Sequence, residues 1–258
     1  MSMLDTPFIL DLLARGQRRD GRQLHQFRPI TLETNLIPKA EGSARVHLGR
    51  SDVLVGIKLA LGDPFSDRPD EGVLMVNAEL TPIASPLFEM GPPDEESIEL
   101  ARVVDRGIRE SHAVALDKLK LKDGKVWMVN VDVHVLNHDG NLIDAAGLAA
   151  IAALATTKIP TIAADGSVDY EHRKGALPLS SHPIPVTVWK AGGKLILDPD
   201  LAEGFAATAR LTVASTEDGR IAALQKGGDE PLTEAEIETA FSLAIEHAKE
   251  LRKHLSHS

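Results

Sequence analysis

A strand that runs straight into a helix is the one place in this sequence where backbone geometry alone could hold an anion. Residues 126–154 read VWMVNVDVHVLNHDGNLIDAAGLAAIAAL. Val129, Val131, Val133 and Val135 alternate with Asn130, Asp132, His134 and Leu136, a period of two that reads as strand. Asp139-Gly140 breaks it with a turn dipeptide. Ala145 to Leu154 is apolar nearly all round and reads as a buried helix. The free N–H groups of that helix's first turn would converge on one spot, with the positive end of the dipole behind them. A second candidate is a stripe of arginines. Arg102, Arg106 and Arg109 fall four and three apart on an expected helix, within an arc of about 60°. Guanidinium forks match phosphate oxygens, so the stripe suits a nucleic-acid backbone. The plainer reading is a solvated edge that pairs with Glu99, Asp105 or Glu110.

Other chemistry finds less support. His134 and His138 lie four apart on a strand and its end, about 13 Å from each other and too far to share a metal. None of the other histidines has a partner at ligand spacing, so no metal or other cofactor is expected. No serine sits in a nucleophile elbow, and no glycine pattern matches a P-loop or a dinucleotide fold. Asp198 and Asp200 form a carboxylate pair across a proline turn, where acids are commonly structural. The arginines of Gln17-Arg18-Arg19-Asp20-Gly21-Arg22 and the acidic loop 62–72 both read as solvated connections. With no cysteine, disulfides and thiolate zinc sites are excluded. The N-terminus has only a short apolar run with acids in it, unlike a signal peptide. No apolar run reaches the roughly 18 to 20 residues that cross a bilayer, so no membrane partner is expected. The net charge of −10 requires any nucleic-acid contact to come from a local basic patch or a shared surface.

The elements that would position these residues follow from pattern and punctuation. A chain of 258 residues, 43% hydrophobic, can bury one large core or two smaller ones, and its mixed signals point to an α/β or α+β class. Phe8, Ile9, Leu12 and Leu13 predict a first helix ending near Gly16. Strands are expected at 28–33, 43–48, 52–61 and 73–80. The four prolines of 81–93 make that stretch irregular. Asp94-Glu95-Glu96-Ser97 opens a helix expected to run to about Leu116, with Ala101, Val104, Ile108 and Ala115 inward. Residues 156–183 read as a connection between subdomains. Strands follow at 184–190, 194–197, 206–214 and 220–225. Thr233 and Glu236 form a capping box at the start of a last helix.

In combination, RRDGR at 18–22, the arginine-bearing helix, VDVHVLNHDGNLIDAAGLAAIAAL at 131–154 and the segment 197–213 resemble the RNase PH family. These are phosphorolytic nucleases that shorten RNA from its 3′ end with inorganic phosphate. The resemblance runs from about Arg19 to Leu251. The segments NLIPKAEGSARVHLG and LGDPFSDRPDEG are similar to the family's non-catalytic ring subunits of the archaeal exosome. It implies an α+β RNase PH fold: two βα subdomains of ribosomal-protein-like βαβ topology, with mixed sheets packed against helices. The expected division is 1–27 (N-terminal helix and basic connection), 28–182 (first subdomain) and 183–258 (second subdomain).

The departures from the family pattern carry the functional expectation. Active members hold phosphate with a Gly-Ser/Thr-Arg-Ser/Thr signature after the Asp-Gly turn. The matching residues here are Asn141, Leu142, Ile143 and Asp144, with Ile143 in the arginine's place and Asp144 expected to repel an incoming anion. Active members also carry two aspartates six apart in the second half, matched here by Gly204 and Arg210, neither of which can act as a general acid. The resemblance therefore implies a cytoplasmic, non-catalytic subunit without catalytic residues or metal. It would complete a six-membered ring, a trimer of heterodimers, with the catalytic RNase PH-like exosome subunit, capped by RNA-binding subunits. Arg102, Arg106 and Arg109 would guide single-stranded RNA toward the neighbour's active site. Two alternatives stay open: a chain that is itself an active phosphate-dependent 3′–5′ exoribonuclease, and a homo-oligomeric binding module without RNA work.

Overall fold

Hydrophobic alternation and one all-apolar helix decide the architecture. The structure, a computed structural model, describes residues 5–121 and 123–257. In chain order its main elements are α1 (Asp5–Ala14), β1 (Ile30–Thr34), β2 (Gly42–Leu48), β3 (Ser51–Gly62), β4 (Val73–Leu80), α2 (Glu95–Glu110), β5 (Val126–Asn137), α3 (Leu142–Thr156), β6 (Lys158–Ile162), β7 (Val168–Ala176), β8 (Ile184–Ala191), β9 (Lys194–Leu197), α4 (Leu201–Ala206), β10 (Ala209–Ser215), β11 (Ile221–Gly228) and α5 (Glu234–Lys253). The first five strands form one sheet in the order β1-β2-β3-β5-β4, antiparallel except for the parallel β4–β5 pair. A second, antiparallel sheet has the order β11-β10-β8-β9. The fold is α+β.

The valine side of β5 is almost fully buried, as its alternation requires. It faces α3, whose residues 142–154 are all buried. That helix packs on β2 and β3 of the first sheet and on β8 of the second, so it forms the spine of the molecule. Gly147 allows the second approach: a β-carbon there would collide with the Pro185 ring on β8. α2 lies across β4 and β11, while α5 covers β8 and β10. A satellite core of Ile9, Leu13, Ala191, Ile196, Ala202 and Ala206 seats α1 on second-half elements. No described helix is long and apolar enough to cross a membrane.

Three elements differ from the sequence reading. α2 stops at Glu110, about six residues early, because His112 adopts a left-handed backbone (φ 51°). His112 N–H then bonds to Arg109 O, and Ala113 N–H to Ile108 O. That is the Schellman pattern with histidine in glycine's usual place. The inward face is Leu100, Val103, Val104, Gly107 and Ile108, and Ala115 lies beyond the helix. The stretch 206–214 does not begin as strand; α4 precedes β10, opened by a capping box of Asp200 and Glu203. Within 156–183, β6 and β7 pair as a hairpin, whose short first strand and polar, largely exposed second strand hide the pattern.

Candidate functional site

The strand–turn–helix unit delivers Asn141 to the junction of the two sheets. Gly140 (φ 94°) sits so close to the 198–200 turn that a β-carbon would lie 2.5 Å from Pro199 O. Asn141 follows in the left-handed region (φ 52°) and caps α3 without a side-chain bond to its N–H groups. Its amide is spent elsewhere: Nδ2 donates to Asp144 Oδ2 (2.9 Å) and to Asp198 Oδ1 (3.1 Å).

Behind Asn141 lies a buried ionic joint. Asp198, fully buried and itself left-handed (φ 47°), accepts bonds at Oδ2 from Arg28 N–H (2.7 Å), Arg28 Nε (2.9 Å) and Arg22 NH1 (3.0 Å). Its Oδ1 accepts from Arg28 NH2 (2.7 Å). Arg18 forks onto Glu203, with Nε to Oε1 at 3.0 Å and NH2 to Oε2, and caps the carbonyls of Leu197 and Asp198. Arg19 pairs with Asp200 (2.9 Å). The arginine run 18–22 is therefore not a solvated loop. Its acidic partners Asp198, Asp200 and Glu203 lie more than 170 residues away, beyond the reach of local pattern. Asp198 and Asp200 hold the structural roles read for them, and Glu203 is consumed by Arg18.

Asp144 requires a second correction. Its carboxyl is not exposed to an incoming anion. Its side chain is buried beside β8 and accepts a bond from Thr187 Oγ1 (2.7 Å), which also bonds Thr212 Oγ1 (2.8 Å). Burial pushes its carboxyl up to about 7, against the hydrogen bonds from Asn141 and Thr187 and helped by the Asp198 charge. Close to neutral pH a large share of molecules carry it uncharged.

The remaining three residues of the altered phosphate signature do meet. Asn141, Leu142 and Ile143 line a cleft of about 210 Å³ with Glu96, Glu99 and Leu100 of α2, His138, Trp189 of β8 and Arg210 of β10. Gly204 is not among the lining residues; it lies on α4, where a β-carbon would meet open space. Arg210 pairs with Glu99 and lies over the ring of its cross-strand neighbour Trp189, 5.3 Å from the centroid. Its other neighbour is Gly227, where any β-carbon would strike the guanidinium at 2.6 Å. Glu96 reaches solvent at the rim. Crowding on its inner side, with the Asp94 and Glu99 charges added, pushes its carboxyl above the usual range. Burial pushes His138 below the ordinary imidazole range, and its ring stacks on Phe88 (5.3 Å between centroids). Gly140 N–H donates to His138 Nδ1 (3.4 Å), which leaves Nε2 as the protonated nitrogen. The cleft thus holds two carboxylates against one already paired arginine. Sequence reasoning missed Glu96, Glu99 and Trp189 as cleft residues, which no spacing links to residues 141–143, and weighed His138 only as a metal ligand.

The arginines of α2 diverge. Arg102 is exposed. Arg106 NH1 donates to Gln225 on β11 (3.0 Å), and Gln225 lies near Glu99 in turn (3.5 Å). Arg109 forks onto Asp105, with Nε to Oδ2 at 2.9 Å and NH2 to Oδ1 at 2.6 Å, and donates to Leu74 O (3.0 Å). It borders a larger cleft of about 540 Å³, which Arg68, His112 and Lys118 also line with Glu71, Glu110 and Asp117. His134 stands away from the small cleft, beside Glu79 (3.2 Å). Among the described residues no three His, Asp or Glu side chains gather as a metal site.

Comparison with known proteins places the chain in a family. The models of domains 1 and 2 of the 3′ exoribonuclease family match residues 26–160 and 181–247. A relative from Methanosarcina acetivorans named exosome complex component Rrp42 is 51% identical over 253 residues, covering 98% of this chain and 93% of its own. A solved chain described as the Archaeoglobus fulgidus exosome with RNA bound to the active site superposes with a TM-score of 0.91 at 47% identity, covering 97% of both chains. A second, described as an archaeal exosome core, gives 0.87 at 42% identity, with 98% of this chain and 96% of the other covered.

Proposed function

The chain belongs to the RNase PH family of 3′ exoribonucleases, and from that premise we propose that it is a non-catalytic subunit of an exosome core. It completes a hexameric ring with a catalytic RNase PH-like subunit, shapes that partner's site and helps feed it single-stranded RNA for 3′-to-5′ phosphorolysis, in the cytoplasm and beneath RNA-binding cap subunits. Residues 28–182 and 183–258 serve as its two subdomains, and 1–27 as the N-terminal helix and basic connection. One observation carries the reading. The cleft bounded by Asn141, Leu142 and Ile143 presents aliphatic side chains and two glutamates, and its one arginine, Arg210, is held by Glu99. Phosphate at that spot would find no free guanidinium fork and would sit in a field of the wrong sign. Without the charge-assisted bonds that steady the attacking oxyanion, several kcal/mol of transition-state stabilisation are lost. Arg102, Arg106 and Arg109 then act as RNA-positioning residues, with the exposed Arg102 the most available.

The test is a phosphate-dependent decay assay on uniformly labelled RNA. The chain alone releases no nucleoside diphosphate, and its mixture with the catalytic partner does. Steady release by the chain alone overturns the proposal.

A further inference from the structure

Among the described residues, three buried side-chain polar atoms have no hydrogen-bond partner in the protein: Asn141 Oδ1, Trp189 Nε1 and Arg210 Nε. All three residues line the same cleft. Buried polar groups are satisfied almost everywhere in folded proteins, so three exceptions around one cavity point to a ligand site. Asn141 is only 3% exposed. Its Nδ2 is committed to Asp144 and Asp198, so Oδ1 is the atom of the amide left without a partner.

The chemistry of the set selects the ligand. It combines an acceptor (Asn141 Oδ1) with N–H donors on Trp189, Arg210 and His138, beside the Glu96 and Glu99 carboxylates. An anion would meet the two carboxylates, while a cation would leave the N–H donors unanswered. A hydroxyl donates and accepts at once and answers both kinds of group. The volume of about 210 Å³ falls below the range of drug-sized pockets and suits a pentose. We propose that this cleft binds a small neutral polyhydroxyl ligand, either a free pentose or the ribose of a nucleoside whose base projects from the mouth. The inference rests on the reading above that the cleft does not grip phosphate.

Saturation-transfer NMR on the full chain with D-ribose, uridine and orthophosphate tests it, with ³¹P line broadening for the last. Ribose or uridine receives saturation, and the stronger of the two tells free sugar from nucleoside. Trp189→Phe keeps the ring and removes one donor. Asn141→Gly removes the acceptor and keeps a residue at ease in the left-handed region. Each variant weakens binding about tenfold. Binding that neither variant changes overturns the inference, as does the absence of sugar binding with no phosphate bound, which leaves the functional reading intact. Phosphate binding that Trp189→Phe or Asn141→Gly abolishes overturns both.

Discussion

Two groups of arginines in this chain have opposite fates. Arg18, Arg22 and Arg28 enter the interior, where Glu203, Asp198 and backbone carbonyls take up their donors. Arg102, Arg106 and Arg109 stay on the outer side of α2, tied to at most one side chain each. The residue type is the same in both groups, and local spacing gives the first no advantage. What differs is the partner. The second half of the chain supplies Asp198 and Glu203 at the C-terminal end of β9 and in α4, and nothing local to α2 buries its stripe. A guanidinium becomes structural when a distant carboxylate meets it in a dry place. It remains available for an anionic polymer when its partners are near and wet.

The sharpest way to break that contrast is at Asp198. Asp198→Ala leaves Arg22 and Arg28 without the carboxylate that they share and frees Asn141 Nδ2. Removing one member of a buried ion pair strands the charge of the other and costs about 3–5 kcal/mol. Denaturant unfolding of Asp198→Ala beside Arg102→Ala makes the comparison directly, since an exposed arginine changes stability by about 0.5 kcal/mol or less. Equal midpoints for the two variants would show that the joint is no more structural than the stripe.

A smaller effect sharpens the same point with an unpaired acid. Asp144 is as deeply placed as Asp198 but has no arginine, and burial raises its carboxyl from 3.8 to about 7. The folded protein therefore binds a proton there that the unfolded chain releases between pH 4 and 7. Its contribution to stability is fully present below about pH 4, declines as pH rises through 7 and is flat above it. The decline is at most about 4 kcal/mol. Asp144→Asn flattens this part of the stability profile. A wild-type profile without that decline would show Asp144 to be ionised in the fold, a charge at the start of α3 after all.

How much of this is legible in the sequence follows the same division. The valine alternation of β5, the apolar helix α3 and the Thr233–Glu236 box are readable because their signals are local and periodic. The end of α2 is not, because histidine at 112 takes a backbone position that glycine usually marks. α4 is six residues long, too short for a periodic signal, and its one local sign is Asp200 with Glu203 three residues on. At the site, Asn141 to Ile143 stand out through their neighbours in sequence. Glu99, Trp189 and Arg210 converge on them only through the packing of α2 and β8–β10 around α3. Asp144 reads as a charged residue because the hydroxyl that meets it, Thr187 Oγ1 on β8, lies 43 residues on.

The smallest expected effect ranks the stripe itself. Salt dependence of RNA binding counts the phosphates that a protein neutralises, and on a single strand each phosphate adds about 0.7 to the slope. In the assembled complex, Arg102→Ala lowers that slope by about one phosphate's share, because Arg102 is exposed. Arg109→Ala lowers it less, because that guanidinium already faces Asp105 through two bonds and an RNA phosphate must compete with them. Arg106 falls between, since it gives up only a neutral amide, Gln225. Changing all three to Glu weakens RNA binding while the complex still elutes as one assembly. If binding and slope stay unchanged in the triple variant, the α2 arginines are a solvated edge, and the contrast with the buried joint reduces to burial alone.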